Sequence, residues 1–432
     1  MIRRFGIAGL SLVVVAGLGV GWWLLGGRTG VSRTSDSPTQ DAYVWQRDWS
    51  ADVVRAVRDQ GPSLNRLVVL AAEMRWRSGH LEITRVAVPW EVLSTMDRPI
   101  GVAIRMGTYS GPFSTDGGVA NGLRTVARGI LDAARSNQVA VAELQLDFDC
   151  ADRLLNGYRV WVEMLRREVQ PVPLIITGLP SWLDQESFGS LARAADGFVL
   201  QVHSLERPRG PDDPAAVLCD PKRAQRSVEK AAQLGVPFRV ALPTYSYRLA
   251  FDAQGRFLGA AAEGPPSTSA EGAVSRILAA DPQAMADLVA RWRMDRPASM
   301  TGILWYRLPV AGDQWNWRWR TLESVMAGCP PRDKVRATLA AQGPGLFDVQ
   351  VVNEGAGDRT GPLAVRVTSA AGIVSGSDAV RGFRVIASAA GELLFTNASC
   401  RLRSGDLAII GWMRIDAPSS VEHLRLEIIP GP

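Results

Sequence analysis

The chain has few of the residues that bind metals. Its 432 residues include only three histidines, His80, His203 and His423, and four cysteines. No two histidines have the His-x-x-x-His spacing, and the cysteines match no zinc pattern. A divalent ion held by Asp147, Asp149 and His203, as in metal-dependent deacetylases, is the weaker alternative. We therefore expect no metal and no cofactor.

Motifs of several common enzyme classes are also absent. There is no Gly-x-Ser-x-Gly elbow, no phosphate-binding loop and no Gly-rich fingerprint after the first predicted strand. Serine-hydrolase, nucleotide and dinucleotide chemistry therefore have no support. The net charge is only +5, from 48 basic and 43 acidic residues. Since the basic residues form no stripe with interleaved aromatics, we expect no nucleic-acid partner.

The N-terminus contains one long uncharged run, residues 5–27, which follows two arginines. This run is longer than the hydrophobic part of a signal peptide and just long enough to cross a bilayer as a helix. We predict a signal anchor over residues 1–27, with a cleaved signal peptide as the alternative. The remaining chain would lie outside the cytoplasm, anchored to the inner membrane, or be periplasmic or secreted after cleavage. Residues 28–41 are polar and predict a linker.

The middle of the chain alternates short apolar runs with segments of helical periodicity, which is typical of a parallel sheet with crossover helices. Eight strands within residues 42–328 predict a TIM-like (β/α)8 barrel, and a doubly wound sheet is the alternative. The predicted strands are residues 42–46, 66–73, 99–106, 139–149, 172–178, 196–203, 237–245 and 301–308. The predicted helices include residues 121–136, 153–168, 186–194, 221–234 and 282–293.

Two regions fall outside this alternation. Phe251 and Phe257 flank an Asp-x-x-Gly sequence in the long connection 246–281, and they predict a small hairpin over the barrel mouth. Residues 345–432 contain short alternating runs separated by turn residues, and they predict a β-sandwich accessory module. The predicted fold is therefore an N-terminal hydrophobic helix, an α/β barrel and a C-terminal all-β module.

One predicted strand, Glu143 to Asp149 (ELQLDFD), alternates polar and apolar residues. Side chains alternate across a strand, so the four polar residues Glu143, Gln145, Asp147 and Asp149 face the barrel interior. Buried polar groups are costly unless they are hydrogen-bonded or wet. Asp147 and Asp149 lie last in the strand, at the end where barrel active sites occur. We predict the active site there; a solvent-facing edge strand, or a buried network without substrate, is the alternative.

Polar and aromatic residues also end the other predicted strands. Aromatic rings beside carboxylates and amides suit a carbohydrate, whose ring has an apolar face and hydroxyl edges. The predicted substrate-binding residues are Trp45, Arg105, Gln145, Gln201, His203, Tyr245, Tyr247 and Trp305. Tyr245 and Trp305 fit the core equally well, and His203 has a structural alternative. Glu73 is a further candidate for the second catalytic carboxylate.

Two cysteines fall at one predicted end of the barrel. Cys150 follows the polar strand, and Cys219 lies in a later loop on the same face. We predict a disulfide between them if the domain is in an oxidising compartment, and two buried thiols are the alternative.

Four segments resemble the bacterial domain-of-unknown-function family 3142. They are Asp41–Arg47 (DAYVWQR), Glu143–Cys150 (ELQLDFDC), Asp196–Leu205 (DGFVLQVHSL) and Phe238–Tyr247 (FRVALPTYSY), and the resemblance spans roughly residues 40–330. That family has no assigned activity. It looks like a distant relative of glycosidase barrels, notably the family 18 chitinases.

In the chitinase group, strand four carries Asp-x-x-Asp-x-Asp-x-Glu, in which the Glu is the general acid and the preceding Asp orients the substrate. The resemblance implies that Asp149 takes the acid position and Asp147 the orienting position, while Gln145 replaces the next acid. Tyr245 and Trp305 correspond to a strand-seven tyrosine and a strand-eight tryptophan. Asp149 is one methylene shorter than Glu, and a misplacement near 1 Å can lower a rate by about a hundredfold.

Two functions are compatible with these residues. The first is a glycoside hydrolase-like protein in which Asp149 is the general acid, with its pKa raised by the charge of Asp147. Asp147 would orient the substrate or stabilise the developing charge, with Glu73 in reserve. The alternative is a barrel that binds a polysaccharide or oligosaccharide without cleaving it, in envelope assembly, and the short acid favours it.

Overall fold

The computed structural model describes residues 31–205, 207–262, 273–369, 374–388, 392–416 and 424–430. The predicted N-terminal hydrophobic helix and its membrane contact, at residues 5–27, lie outside the described residues. Among the helices that are described, none is both long enough and apolar enough to cross a membrane.

Eight parallel strands close into a barrel. They are β2 (Thr39–Val44), β3 (Arg66–Arg77), β5 (Ile100–Met106), β6 (Val141–Phe148), β7 (Leu174–Gly178), β8 (Gly197–Gln201), β9 (Phe238–Pro243) and β14 (Met300–Tyr306). Each pairs with the next in this order, and β14 pairs with β2 to close the barrel. Every predicted strand overlaps one of them, so the predicted barrel is confirmed.

The predicted linker is partly structured. Arg33 and Thr34 form strand β1, which pairs antiparallel with β13 (Arg296–Pro297). Thr39 already begins β2, before the predicted start of the barrel. These polar residues have partners far along the chain: Arg33 pairs with Glu229 at 3.0 Å and with Asp295 at 2.5 Å. The composition of a segment does not reveal such distant partners, and the prediction of a linker up to residue 41 was wrong for this part.

Helices follow the barrel strands and cover the barrel. They are α1 (Ala51–Gln60), α2 (Trp90–Leu93), α3 (Gly118–Ser136), α4 (Leu155–Val169), α5 (Glu186–Ala194), α6 (Pro221–Ala232), α7 (Pro282–Met294) and α8 (Trp319–Met326). Helices α6 and α7 begin at Asp-Pro pairs, in which Asp220 and Asp281 accept hydrogen bonds from backbone N–H groups of the first turn. An N-cap carboxylate before proline fixes where a helix starts. Leu144, Leu146 and Phe148 are completely buried in the core between barrel and helices.

Two short antiparallel additions modify the barrel. Strand β4 (His80–Arg85) pairs with the long end of β3. After β9, strands β10 (Ser246–Phe251), β11 (Phe257–Ala261) and β12 (Val274–Ala279) form a three-stranded sheet. The predicted hairpin between Phe251 and Phe257 is confirmed: Asp252 accepts hydrogen bonds from the backbone N–H groups of Gln254 and Arg256 in its turn.

The C-terminal part of the described chain contains two four-stranded antiparallel sheets that share one core. The first has the order β15 (Val335–Gly343), β16 (Leu346–Asn353), β21 (Leu407–Ile415), β18 (Val374–Ala379), and the second the order β19 (Arg384–Ser388), β20 (Glu392–Leu402), β17 (Arg359–Ser369), β22 (Leu424–Pro430). The module begins with β15, earlier than the predicted boundary at residue 345. Strand β15 is rich in alanine and half-buried, so its alternation is weak.

Candidate functional site

A cavity of about 320 Å³ opens at the C-terminal ends of the barrel strands. Most of the predicted site residues line it: Trp45, Arg105, Asp147, Asp149, Gln201, His203, Tyr245 and Tyr247. They come from six different strands or the residues that follow them, so only closure of the barrel brings them together. Strand ends supply the site because side chains below them are packed into the barrel interior.

The inner face of β6 carries polar side chains in three layers. Glu143, Gln145 and Asp147 are buried in the barrel interior, in the order predicted from their alternation. Tyr43 donates a hydrogen bond from its hydroxyl to Gln145 Oε1 at 2.6 Å, and Gln145 Nε2 donates to Glu143 Oε1 at 2.6 Å. A buried polar row is tolerated when its members satisfy one another in this way.

The lowest layer is a buried ion-pair network. Arg239 donates to Asp41 at 2.7 Å and to Glu143 at 2.6 Å, and Arg66 also donates to Glu143. Burial alone would lower the pKa of Arg239, but the charges of Glu143 and Asp41 outweigh it and raise the pKa. Gly101 makes room for this layer, since a Cβ there would lie 2.9 Å from Glu143 Cγ. The network closes the barrel below the site.

Asp147 is held from two neighbouring strands. Thr177 donates from its hydroxyl to Asp147 Oδ1 at 2.9 Å, and Gln201 Nε2 donates to the same oxygen at 3.1 Å. Arg105 Nε lies 3.9 Å from the other oxygen, Oδ2. Burial raises the pKa of Asp147, while the hydrogen bonds from Thr177 and Gln201 and the charge of Arg105 counteract part of the rise. The donors favour the ionised form, but burial has the larger effect, so the pKa of Asp147 stays above its ordinary value.

Asp149 lies at the rim of the cavity and is exposed to solvent. Desolvation by the surrounding wall raises its pKa to about 7, and the negative charge of Asp147 adds to the rise. Arg105 works in the opposite direction. Because the residue is exposed, solvent screening reduces the free energy that corresponds to this shift. A carboxyl group with a pKa near neutrality can both hold and release a proton at physiological pH.

Glu73 does not line the central cavity and is engaged by two arginines. Arg47 donates to both of its oxygens, at 2.6 and 3.0 Å, and Arg105 Nη1 lies 3.6 Å away. Burial alone would raise the pKa of Glu73, but the hydrogen bond from Arg47 and the positive charges outweigh it and lower the pKa. Arg105 therefore lies between two carboxylates, Glu73 and Asp147.

Aromatic side chains form the other wall of the cavity. Trp45 and Tyr306 have ring centroids 5.5 Å apart, and Tyr306 lies 5.5 Å from both His203 and Tyr245. Tyr245 and Tyr247 are 5.2 Å apart. Carboxylates on one side and contiguous rings on the other give the cavity both an apolar surface and hydrogen-bonding groups.

His203 is neutral in this environment. Burial lowers its pKa to about 4, so it carries no charge at physiological pH. Its Nδ1 lies 3.4 Å from the Tyr245 hydroxyl, and its buried Nε2 has no hydrogen-bond partner among the described residues. His203 therefore provides a polar but uncharged surface between the carboxylates and the aromatic wall.

Two predicted substrate-binding residues lie away from the cavity. Gln145 is fully buried one layer below Asp147 and is occupied by Tyr43 and Glu143. Trp305 is fully buried in the outer core, where its indole N–H donates to Gln40 at 2.8 Å. The assignment of Trp305 to the cavity was wrong, because the inward face of β14 belongs to the neighbouring Tyr306.

The predicted disulfide is absent. Cys150, Cys219, Cys329 and Cys400 are all free thiols. Burial raises the pKa of both Cys150 and Cys219 to about 12, so neither forms a thiolate readily. Placement on one face of the barrel was too coarse to predict a bond that requires Cα atoms within about 7 Å.

Three residues of the site were missed by the sequence analysis: Tyr43, Thr177 and Tyr306. Tyr43 shares its face of β2 with Trp45, and period-two alternation could have identified it. Thr177 is the single polar residue of an apolar strand, which was a weak signal. Tyr306 follows Trp305 in an apolar run, and in such a run the sequence does not show which of two neighbouring side chains faces the barrel interior.

The central cavity continues into two grooves. A groove of about 620 Å³ shares Trp45, Arg105 and Tyr306 with it and extends to Arg307 and Asp313. On the other side, a groove of about 540 Å³ shares Leu179, Gln201 and Ser204 with it and follows helix α6. We name these the loop groove and the α6 groove. Within the described part of the chain, no cluster of three or more His, Cys, Asp or Glu side chains is placed to hold a metal ion.

Residues 120–311 match the family model of a domain of unknown function, DUF3142. The resemblance to this family is thereby confirmed for three of the four segments, and Asp41–Arg47 precedes the matched residues. A second domain of unknown function, DUF8456, matches residues 336–416 in the two-sheet module. Among curated proteins, none matches this chain.

Several solved structures are distantly similar to the chain. The spore cortex-lytic enzyme SleL of Bacillus megaterium QM B1551 is 12% identical with a TM-score of 0.46, covering 64% of this chain and 71% of that chain. Chitinase ChiA74 from Bacillus thuringiensis is 10% identical with a TM-score of 0.44, covering 91% and 100%. A family GH18 chitinase from Chromobacterium violaceum is 11% identical with a TM-score of 0.39, covering 93% and 92%.

Proposed function

We propose that this protein is a glycoside hydrolase-like enzyme acting on an envelope or extracellular polysaccharide. The observation that carries the proposal is that two carboxylates, Asp147 and Asp149, line one cavity together with aromatic rings at the barrel mouth. Two carboxyl groups that flank the scissile bond are the usual requirement for breaking a glycosidic bond.

Asp149 acts as the general acid. Its pKa of about 7 keeps a large fraction protonated near neutral pH, and its place at the rim exposes it to a glycosidic oxygen. It gives its proton to that oxygen as the C–O bond breaks, and the alcohol leaves. A water molecule then adds to the anomeric carbon and releases a proton, so the carboxyl group is restored.

Asp147 acts as the orienting and stabilising carboxylate. Thr177 and Gln201 fix one of its oxygens, so its position is set before substrate arrives. The transition state has oxocarbenium-like positive charge, and a preorganised negative group nearby stabilises it more than the neutral ground state. Arg105 lies 3.9 Å from Asp147 and 3.6 Å from Glu73, so its positive charge acts on both carboxylates.

A second function is a barrel that binds glycan without cleaving it. The observation in its favour is that Glu73, the reserve carboxylate, has both oxygens occupied by Arg47 and lies outside the central cavity. The Asp side chain at the acid position also reaches less far than the Glu implied by the chitinase resemblance. In this case the aromatic wall would bind sugar and the carboxylates would only hydrogen-bond to it.

The decisive experiment measures release of reducing ends from a panel of polysaccharides by the full chain. We expect turnover of at least one glycan, and a loss of about a hundredfold or more in Asp149→Asn, the size of a general-acid contribution. Asp152→Asn is the matched control, because Asp152 is exposed three residues later and does not line the cavity. Turnover that is equal in both variants would contradict the proposal.

Binding of the same glycans distinguishes the second function. If calorimetry detects a complex that persists in both Asp147→Asn and Asp149→Asn, while no glycan is hydrolysed by the unmodified chain, the barrel is a binding protein.

A further inference from the structure

The α6 groove is larger than the central cavity and joins it directly. Its volume is about 540 Å³, against about 320 Å³ for the cavity. Leu179, Gln201 and Ser204 line both, and Gln201 is also the residue that donates to Asp147. A polymer that occupies the cavity can therefore continue into this groove without crossing a barrier of protein.

One face of helix α6 forms the polar side of the groove. Arg223, Arg226, Ser227 and Lys230 line it, and residues three, four and seven apart lie on the same side of a helix. From Asp220 to Lys230 the helix advances by about 15 Å. The groove thus offers an extended row of hydrogen-bond donors rather than a single contact.

Apolar side chains also line the groove. They include Leu179, Pro180, Val217 and Leu218, and Val217 is exposed to solvent. Donors and apolar side chains in one groove match a sugar chain, in which ring faces are apolar and substituents are polar.

The described residues that line the groove carry a positive balance of charge. Among them are three cations, Arg223, Arg226 and Lys230, and one acidic residue, Asp220. Asp220 is occupied as the N-cap of α6, with its Oδ1 accepting two backbone N–H groups. In the described part of the chain no ion pair or side-chain hydrogen bond reaches Arg226.

The other two cations have partners. Arg223 lies 3.8 Å from Asp220 and has further contacts. Lys230 pairs with Asp184 at 2.8 Å, and both of these side chains are substantially exposed. Exposed pairs of this kind are weak and exchange readily for a ligand anion. The central cavity is different, because its two carboxylates Asp147 and Asp149 face a single arginine.

We propose that the α6 groove binds the anionic part of a carboxylate-bearing polysaccharide, whose neutral linkage lies in the central cavity. This inference rests on the proposed function, because it takes the cavity to be the place where a sugar chain sits. A uronate or another carboxyl-substituted sugar would pair its carboxylate with Arg226. An arginine is well suited to this contact, since its guanidinium binds a carboxylate through two parallel hydrogen bonds.

The experiment compares two hexasaccharides that differ only in charge. Hexagalacturonate and its carboxyl-reduced counterpart are titrated into the full chain by calorimetry at low salt. We expect the anionic ligand to bind about tenfold more tightly, from charge-assisted hydrogen bonds. Arg226→Gln should remove most of this difference. Lys222→Gln is the matched control, because it makes the same charge change on the same helix outside the groove.

Three results would overturn the inference: equal binding of the two hexasaccharides, equal effects of Arg226→Gln and Lys222→Gln, or tighter binding of a hexaglutamate peptide than of hexagalacturonate. These failures are distinct from failure of the proposed function. A chain that hydrolyses a neutral glycan without any preference for the anionic ligand retains the function and loses this inference. A chain that binds hexagalacturonate through Arg226 but hydrolyses nothing retains the groove and loses the enzyme.

Discussion

Arg403 of the C-terminal module donates a hydrogen bond to the backbone carbonyl oxygen of Asp313 in the barrel, at 3.2 Å. The same guanidinium donates to the carbonyl oxygen of Asn316. The side chain of Asp313 pairs with Arg307 at 2.9 Å, and these two residues line the loop groove. Through Arg403, the C-terminal module therefore anchors the loop around Asp313 and Asn316, which forms part of the loop groove.

Replacing Arg403 by methionine should loosen this loop. Two buried or half-buried carbonyl groups lose their donor, which is worth about 1–3 kcal/mol of unfolding free energy. Hydrogen exchange should show faster exchange of backbone N–H groups in residues 307–317, with little change in the barrel strands. Arg401→Met is the control, since Arg401 is exposed two residues earlier, in β20. Similar exchange in both variants would show that Arg403 does not anchor the loop.

Arg239→Met should destabilise the barrel strongly. Arg239 and Asp41 have side chains only 8% and 4% exposed, and the substitution leaves Asp41 and Glu143 without their buried cation. Breaking a buried ion pair from one side costs about 3–5 kcal/mol. Urea unfolding measures the loss. Arg135→Met is the comparison: its pair with Asp132 is largely exposed and should contribute at most about 1 kcal/mol. Equal losses would contradict the role assigned to the network.

Asp149→Asn should stabilise the protein more at high pH than at low pH. The folded-state pKa of Asp149, about 7, lies above its ordinary value, so the folded form holds the proton more tightly than the unfolded chain. This contribution to stability is complete below the ordinary value and is lost as pH rises through about 7. Between about pH 5 and about pH 8, the melting temperature of the variant should rise relative to that of the unmodified chain. A constant difference across this range would mean that the pKa is not raised.

Trp305→Ala and Tyr306→Ala should have different effects. Trp305 is fully buried, and its truncation should lower the free energy of unfolding by about 3–5 kcal/mol. Tyr306 contacts Trp45, His203 and Tyr245 in the cavity wall, and its truncation should chiefly weaken glycan binding. Urea unfolding and calorimetric titration separate the two quantities. Loss of glycan binding in a folded Trp305 variant alone would reverse the assignment.

Thiol labelling tests the absence of the predicted disulfide. Cys329 is exposed, whereas Cys150 and Cys219 have pKa values raised to about 12 by burial. We expect a thiol reagent at neutral pH to label Cys329 first, and to label all four cysteines after unfolding without reductant. Mass spectrometry that finds Cys150 linked to Cys219 would contradict the structure.

The strands of the barrel could be predicted because a strand that is buried on both faces has a short continuous run of apolar residues in the sequence. The predicted strands 66–73 and 237–245 contain the apolar runs 67–72 and 240–243, and such runs are typical of the strands of a parallel barrel. The polar row of β6 was also readable, since Glu143, Gln145, Asp147 and Asp149 recur with the period of a strand. Their order from barrel floor to mouth follows from chain direction alone.

The hydrogen-bond partners of these residues could not be predicted from the sequence. Asp147 is held by Thr177 and Gln201, which come from different strands, and the sequence carries no sign of which strand ends meet at which height. The sequence also does not show which side chains of β14 face the barrel interior. Both Trp305 and Tyr306 are aromatic, and only the register of β14 against β2 and β9 puts Tyr306 in the cavity.

The barrel, the two-sheet module and the end of β6 at which the carboxylates lie could be predicted from the sequence, because hydrophobic periodicity is a local property of the chain. Four other features follow from the folded arrangement: Glu73 is paired with Arg47, Trp305 belongs to the core, Cys150 and Cys219 stay apart, and Arg226 lines a groove joined to the site. These are pairings over long sequence separations, and their distances are set by barrel closure and strand register.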